Sequence, residues 1–193
     1  MRSLSILLIA LGVAALPSAR GDANDSPVAS PVGDFSLINM DGRTVSYSAL
    51  KGNVTVLIFF STRCPMSNAF NYRRNKLYND FKDRAKFIVI NSNSNESMQE
   101  VRDYARAVEF DFPVYKDSDN VVADRFGVRV TTDTFVLDSS GTIRYHGYLE
   151  DSPNPTRAKN QALRLAIEAV LEGKPVAAPE TRALGCSIRR GKL

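Results

Sequence analysis

Two cysteines carry the most reactive chemistry in this 193-residue sequence, and the first lies where a strand is predicted to become a helix. Cys64 closely follows the apolar run 54–60, which suits a strand in the middle of a parallel sheet. Pro65 comes next, and proline is favoured in the first turn of a helix. A thiol there has a lowered pKa, because the helix dipole and free N–H groups stabilise its thiolate. Cys64 is therefore predicted to be a nucleophile.

The second cysteine, Cys186, lies in a C-terminal segment, residues 174–193, with two prolines and few large apolar residues. This composition predicts an extended tail laid over the domain, without a helix. Three states of Cys186 stay open: a mobile resolving partner for Cys64, one half of a purely structural bridge, or a free thiol. Closing so long a loop would stabilise the fold by about 4 to 5 kcal/mol, so a structural bridge would be useful without catalysis.

The N-terminus has the pattern of an export signal. An apolar stretch at 4–16 follows Met1-Arg2-Ser3 and is too short for the roughly 20 residues of a membrane span. We predict a signal peptide over 1–23, a flexible lead-in over 24–32, one domain over 33–173 and the tail over 174–193. The alternative is an uncleaved anchor helix. Export to the periplasm or the medium would permit a disulfide between Cys64 and Cys186.

The charge of the chain argues against a nucleic-acid partner. Lys and Arg number 25 against 21 Asp and Glu, a net charge of +4, which is too mild for that class. Arg73 and Arg74 form a small basic group, as do several residues of the tail. Both groups are interpreted as solvated faces.

Strands and helices are predicted to alternate around Cys64. A hairpin around Asp41-Gly42 comes first, then the strand at 54–60 and a helix after Cys64. A strand at 87–90 follows, and Ser97 with Glu100 forms a capping box that opens another helix. This order predicts right-handed crossovers and a largely parallel sheet.

The second half of the chain is predicted to add antiparallel strands and a covering helix. A short helix at 121–126 precedes strands at 134–137 and 142–145, which form a hairpin. An amphipathic helix is predicted over 156–172, with Gly173 as its stop. The expected class is α/β, with a central mixed sheet flanked by helices.

Two segments carry a family resemblance: 59–68, FFSTRCPMSN, with a lone Cys-Pro, and 179–188, PETRALGCSI, with a Gly-Cys. With the predicted βαβ and ββα units, they resemble the thioredoxin-like superfamily. The closest likeness is to its redoxin branch, which includes peroxiredoxins and exported thiol-disulfide oxidoreductases. The resemblance covers roughly 33–172 and implies a thioredoxin-like fold with an extended C-terminal tail.

Compared with thioredoxins, Cys64 matches the first cysteine of Cys-x-x-Cys, and Ser67 stands in place of the second. The missing local dithiol implies an external thiol or Cys186 as the resolving group. The Ser67 hydroxyl and Arg63 are expected to tune the thiolate, although Ser67 as a simple helix cap is an equal alternative. Thr132 falls at the cis-proline position, which predicts a trans peptide bond and an altered substrate groove.

Compared with peroxiredoxins, Ser61-x-x-Cys64-Pro65 matches Thr-x-x-Cys-Pro, so the Ser61 hydroxyl would hold a peroxide oxygen. Leu57 replaces the proline that those enzymes carry four residues earlier, and no arginine is assigned as the peroxide-activating one. The peroxidase alternative would oxidise Cys64 to a sulfenic acid that Cys186 captures.

His146 is the single histidine and is interpreted as a structural strand residue. Copper chaperones of the same superfamily bind copper through two cysteines and a histidine, so Cys64, Cys186 and His146 form an alternative metal site. Their Cys-x-x-x-Cys-Pro pattern is broken here by Phe60. The principal hypothesis involves no metal and no cofactor.

The sequence thus predicts a thiol-disulfide oxidoreductase with Cys64 as nucleophile, Cys186 as resolving cysteine, and Ser61, Thr62 and Ser67 around the thiolate. A thiol peroxidase and a copper-binding or disulfide-bridged non-enzymatic module are the alternatives. Expected partners are an external thiol reductant, a disulfide-bearing protein or a peroxide. The protein is expected to be a monomer with no stable membrane anchor.

Overall fold

The computed structural model describes residues 27–191, which form seven strands and six helices. The predicted signal peptide, 1–23, lies outside these residues, as do 24–26 and 192–193. Within the described part of the chain, no helix is long and apolar enough to cross a membrane.

One mixed sheet contains all seven strands, in the order β2-β1-β5-β4-β3-β6-β7. The strands are β1 (Ser36–Asn39), β2 (Thr44–Ser46), β3 (Val54–Phe60), β4 (Lys86–Asn91), β5 (Val114–Lys116), β6 (Thr134–Asp138) and β7 (Ile143–Gly147). β3, β4 and β5 run parallel to one another, whereas the other neighbouring pairs are antiparallel. The predicted mixed α/β sheet is confirmed, but the expectation of a largely parallel sheet is wrong, because parallel pairing is restricted to the central strands β3, β4 and β5.

The helices cover both faces of the sheet. They are α1 (Tyr47–Leu50), α2 (Pro65–Asn68), α3 (Asn71–Phe81), α4 (Met98–Ala107), α5 (Val121–Arg125) and α6 (Ala162–Leu171). Because successive strand side chains point to opposite faces, Ile58 and Phe60 pack in the core under α3, α4 and α6, whereas Leu57 and Phe59 pack on the side of α1 and α5. β3 is buried along its whole length, as its composition predicts.

Two helices differ from the sequence-based expectation. The helix after Cys64 is split into α2 and α3. The helix predicted over 156–172 begins only at Ala162. Asn154 Oδ1 accepts the Thr156 N–H at 3.0 Å, and Asp151 Oδ1 accepts the Lys159 N–H at 2.9 Å. These side chains satisfy the backbone in turns, which compete with the first helical turns.

The predicted flexible lead-in is bound to the sheet where the structure describes it. The Ala29 N–H donates to the Ile143 carbonyl at 2.8 Å, and the Val32 N–H donates to the Gly141 carbonyl at 2.9 Å. Residues 29–32 therefore run along the start of β7, unlike the flexible segment expected there.

The C-terminal tail is extended over 174–191, as predicted, and its first part pairs with the other end of β7. The His146 N–H donates to the Pro179 carbonyl at 3.0 Å, and the Thr181 N–H donates to the His146 carbonyl at 2.9 Å. Gly147 permits this approach, since a Cβ there would overlap Thr181. Residues 29–32 and 179–181 thus both lie against β7.

Candidate functional site

Cys64 lies at the junction of β3 and α2, as predicted. It is the N-cap of α2, its sulfur accepts the Ser67 N–H at 3.5 Å, and Pro65 occupies the first helical turn. In this position the sulfur satisfies one of the free N–H groups of the helix terminus. Because α2 has only four residues, its dipole is smaller than that of the longer helix expected from the sequence.

Cys64 and Cys186 form a disulfide with their Cα atoms 5.9 Å apart. That separation lies in the normal range for a bridged pair. The Cys186 N–H also points at Cys64 Sγ, at 3.4 Å. This bridge excludes the free thiol for Cys186 in this structure and is compatible with both a resolving and a purely structural cysteine.

The tail carries Cys186 to Cys64 as a short added strand. The Thr131 N–H donates to the Cys186 carbonyl at 2.9 Å, and the Ile188 N–H donates to the Arg129 carbonyl at 3.0 Å. Val130 pairs with Ser187 in an antiparallel bridge between these hydrogen bonds. Ile188 is 5% exposed and belongs to the core cluster beneath α5, so a buried side chain anchors the tail beyond the cysteine.

Gly185 fits the tail closely against Thr132, the residue at the cis-proline position. A Cβ at Gly185 would lie 2.9 Å from Thr132 Oγ1, and the Thr132 hydroxyl donates to the Leu184 carbonyl at 2.9 Å. All peptide bonds of residues 27–191 are trans, as expected for this loop. The Gly-Cys segment thus packs directly against the loop at the cis-proline position.

The hydrogen-bonding capacity of Ser61 is fully used within the loop. Its hydroxyl donates to Glu96 Oε1 and accepts the N–H groups of Arg63 and Cys64, each at 3.1 Å. A hydroxyl offers one donor and two acceptor positions. None remains for a peroxide oxygen, so the structure brings Ser61 next to Cys64 in a role different from the one expected in a peroxidase.

Glu96 holds the loop in front of Cys64 and was not identified from the sequence. It is 2% exposed, and besides Ser61 its carboxylate accepts the Thr62 N–H at 2.8 Å and the Asn91 amide at 2.6 Å. Thr62 Oγ1 lies 3.0 Å from the same carboxylate. In the sequence, a glutamate before a helix cap carries no signal of burial.

Arg63 is directed away from the disulfide. Its guanidinium binds the Glu100 carboxylate in a bidentate pair, with N–O distances of 2.7 and 2.6 Å. This pair lowers the pKa of Glu100 and raises that of Arg63. Ser97 caps α4 by accepting the Glu100 N–H at 3.1 Å, but the Glu100 side chain serves Arg63 in place of the reciprocal capping-box bond.

Ser67 is completely buried and connects the loop to Arg74, which the sequence analysis interpreted as part of a solvated face. Ser67 Oγ accepts the Ser61 N–H at 3.1 Å and Nη2 of Arg74 at 2.9 Å. Arg74 is 1% exposed, which corrects the solvated interpretation, and burial lowers its pKa to about 10. Its neighbour Arg73 is also largely buried, in an ion pair with Glu150.

His146 stacks on Phe135 with ring centroids 4.5 Å apart, and its Nε2 lies 3.3 Å from Asp133 Oδ1. Among residues 27–191, no three His, Cys, Asp or Glu side chains are grouped so that they could hold a metal ion. The copper alternative therefore gains no support from the arrangement of Cys64, Cys186 and His146.

Known proteins share both this fold and this chemistry. The chain is 29% identical over 141 residues to the thiol-disulfide oxidoreductase ResA of Bacillus subtilis, covering 72% of this chain and 78% of that protein. It is 30% identical over 112 residues to the thioredoxin-like protein YneN of the same organism, covering 58% and 65%. The crystal structure of an uncharacterised protein from Geobacillus kaustophilus superposes with a TM-score of 0.81 at 28% identity, covering 88% of this chain and 95% of that one. Residues 28–146 match the AhpC/TSA family description, and the chain belongs to that family.

Proposed function

We propose that this protein is a thiol-disulfide oxidoreductase in which Cys64 is the nucleophile and Cys186 the resolving cysteine. The observation that carries the proposal is the bridge itself: an N-cap cysteine is joined to a cysteine on an added strand that pairs with residues 129–131. The similarity to ResA supports the same reaction class. Ser67 and Ser61 support the cysteine by positioning the loop and the first helical turn.

In the reduced protein, the Cys64 thiolate attacks one sulfur of a substrate disulfide and releases the other sulfur as a thiolate. The Cys186 thiolate then attacks the Cys64 sulfur of the mixed disulfide, reforms the internal bridge and releases the second substrate thiolate. Two electrons pass from the protein to the substrate, and an external thiol reductant restores the dithiol. The reverse steps would oxidise a substrate, and the reduction potentials of the partners set the direction.

The tail favours a role for Cys186 in exchange as well as in stability. Its backbone is hydrogen-bonded to Arg129 and Thr131 in addition to the bridge. We propose that these bonds keep Cys186 beside Cys64 after reduction, ready to resolve a mixed disulfide. The partner would be a protein carrying an accessible disulfide, because thiol-disulfide exchange needs a substrate sulfur–sulfur bond for Cys64 to attack.

The peroxidase alternative is weaker. Ser61 has no free position for a peroxide oxygen, and Leu57 stands where peroxiredoxins carry a proline.

We also propose that the protein is exported, to the periplasm or the medium. The signal-like segment 1–23 and a disulfide suited to an oxidising compartment support that location.

Thiol-disulfide exchange with a disulfide-containing peptide tests the function. The reduced protein should convert the peptide to its dithiol while the Cys64–Cys186 bridge reforms, as followed by mass spectrometry. Cys64→Ser should abolish the reaction, and Cys186→Ser should accumulate a mixed disulfide on Cys64. Ser187→Ala is the matched control beside Cys186 and should react normally.

Two outcomes would contradict the proposal. One is a bridge that resists strong reductant in the folded protein, which would make the cysteines purely structural. The other is rapid conversion of Cys64 to a sulfenic acid by peroxide combined with no reaction toward disulfides, which would favour the peroxidase.

A further inference from the structure

Arg74 is a buried cation without a buried anion to neutralise it. Its guanidinium donates to Ser67 Oγ at 2.9 Å and to Asn71 Oδ1 at 3.0 Å, and both acceptors are neutral. Its Nε has no hydrogen-bond partner, and among residues 27–191 no carboxylate pairs with it. Burying an unpaired charge is costly, so such a group points to an anion that forms in another state of the protein.

A short path leads from Arg74 to the sulfur of Cys64. Ser67 Oγ uses its two acceptor positions for Arg74 and the Ser61 N–H. The hydroxyl proton therefore remains as its one free hydrogen-bond donor. The Ser67 N–H already points at Cys64 Sγ, at 3.5 Å. In the bridged protein that sulfur is neutral. Reduction creates a thiolate, the missing anion, at the end of this path.

We propose that Arg74 is a positioning residue that stabilises the Cys64 thiolate through Ser67 and thereby makes the protein a stronger oxidant. The proposal rests on the proposed thiol-disulfide exchange and adds the residue that sets its driving force. Stabilising the Cys64 thiolate lowers the free energy of the reduced protein relative to the disulfide form, so the reduction potential of the pair is higher.

The reaction coupled to this charge is balanced with a dithiol reductant. The reductant gives two electrons and two protons and becomes a disulfide, while the sulfur–sulfur bond between Cys64 and Cys186 breaks. One proton goes to the Cys186 sulfur and the other to solvent. Cys64 stays a thiolate, connected to the Arg74 guanidinium through Ser67, and the guanidinium keeps its own proton throughout.

The other charged groups around the loop do not supply this stabilisation. Arg63 is exposed and bound to Glu100 of α4, and Arg73 is bound to Glu150. Glu96, on the other side of Ser61, is buried and opposes a thiolate. Lys116 of β5 directs its ammonium group to the Asn91 side chain and the Asn93 carbonyl, and not to Cys64. In the loop before β6, Asp133 accepts the N–H of Arg129 at 3.2 Å, and it too is negative.

The test measures the thiol pKa of Cys64 from the pH dependence of alkylation, in the Cys186→Ser background, where Cys64 is the single cysteine. Arg74→Gln keeps hydrogen-bonding groups and removes the charge. We expect it to raise the Cys64 pKa by about one unit or more, which lowers the alkylation rate about tenfold at pH values below the pKa. Arg74→Lys should retain most of the wild-type value.

Lys76→Gln is the matched control, because it removes one positive charge from the same helix at an exposed ion pair with Asp80. It should leave the Cys64 pKa unchanged. With both cysteines present, Arg74→Gln should shift the thiol-disulfide equilibrium about tenfold toward the disulfide, which corresponds to about 30 mV. If Arg74→Gln fails to fold, Arg74→Met gives the same comparison with an apolar side chain.

An unchanged Cys64 pKa in a folded Arg74→Gln or Arg74→Met protein would overturn this inference. So would an equal rise in Arg74→Lys, since loss of hydrogen-bond geometry would then explain the effect. Wild-type exchange with the disulfide peptide is measured separately. A reactive wild type with an unaffected variant contradicts the role of Arg74 alone, whereas a wild type inert toward disulfides contradicts the proposed function.

Discussion

The two cysteines of the bridge are held in different ways. Cys64 is fixed by its own neighbourhood: the end of β3, Pro65 at the start of α2, and a loop bound to a buried glutamate. Cys186 is fixed by backbone bonds to residues distant in the chain and by one buried side chain, Ile188. The Cys64 side is thus part of the sheet, whereas the Cys186 side is docked on it and can be released without breaking a strand of the sheet.

Reducing the bridge should have the largest effect on stability. The disulfide joins residues 122 apart, so its loss should lower the free energy of unfolding by about 4 to 5 kcal/mol through loop closure. Urea unfolding with and without reductant measures this difference. Cys186→Ser should be insensitive to reductant. An unchanged midpoint for the wild type would show that docking alone fixes the tail.

Ile188→Ala should weaken docking of the tail. Removing a buried isoleucine side chain costs about 2 to 4 kcal/mol, and here the loss falls on the tail. Urea unfolding gives the cost, and hydrogen exchange at the Thr131 N–H, which donates to Cys186, reports on the tail. Leu184→Ala is the control, since Leu184 is 60% exposed and should change stability by less than about 0.5 kcal/mol. Equal effects of the two variants would refute the anchoring role.

Glu96→Gln should destabilise the loop in front of Cys64 without releasing the C-terminal tail. An amide can accept through only one of its two terminal atoms, so a donor among Ser61, Thr62 and Asn91 loses its partner, at a cost of about 1 to 3 kcal/mol. Unfolding experiments measure the loss, with Glu168→Gln as control, since the Glu168 side chain is half-exposed and its ion pair with Arg164 is long. If the hydrogen-exchange rate of the Thr131 N–H increased by the factor that corresponds to this loss of stability, the Cys64 and Cys186 sides would not be independent.

The smallest effect concerns pH. The pKa of Glu100 is lowered by Arg63, so the stability from this pair is complete above the ordinary glutamate pKa and is lost as pH falls through the lowered value. Because the pair is largely exposed and screened by solvent, we expect only a small decrease in stability between pH 6 and pH 3. Acid titration of stability in Arg63→Gln should lack this contribution. An identical titration in both proteins would mean that the pair adds nothing.

The parts that sequence reasoning predicted are the local ones. β3 is a continuous apolar run, and the proline after Cys64 marks a helix start, so both follow from residue types over a few positions. The capping serine at 97 and the hairpin of β6 and β7 were found in the same way. The thioredoxin-like likeness added the fold class and the alternatives for Cys186.

What was missed depends on contacts between distant residues. The partners of the tail at Arg129 and Thr131 are backbone groups, which no side-chain pattern reveals. Arg74 stands next to another arginine and has the appearance of a solvated charge, and only the packing of α3 shows it buried under the site. The late start of α6 was missed because turn bonds made by Asn154 and Asp151 replace the first helical turns.

Strand β7 lies last in the order of the sheet, where unpaired N–H and carbonyl groups could recruit a strand from another molecule. Residues 29–32 satisfy one end of it and residues 179–181 the other. At the opposite side of the sheet, β2 has only three residues. These two segments therefore cover the outer edge of β7 and limit strand-on-strand aggregation there, a benefit unrelated to redox chemistry.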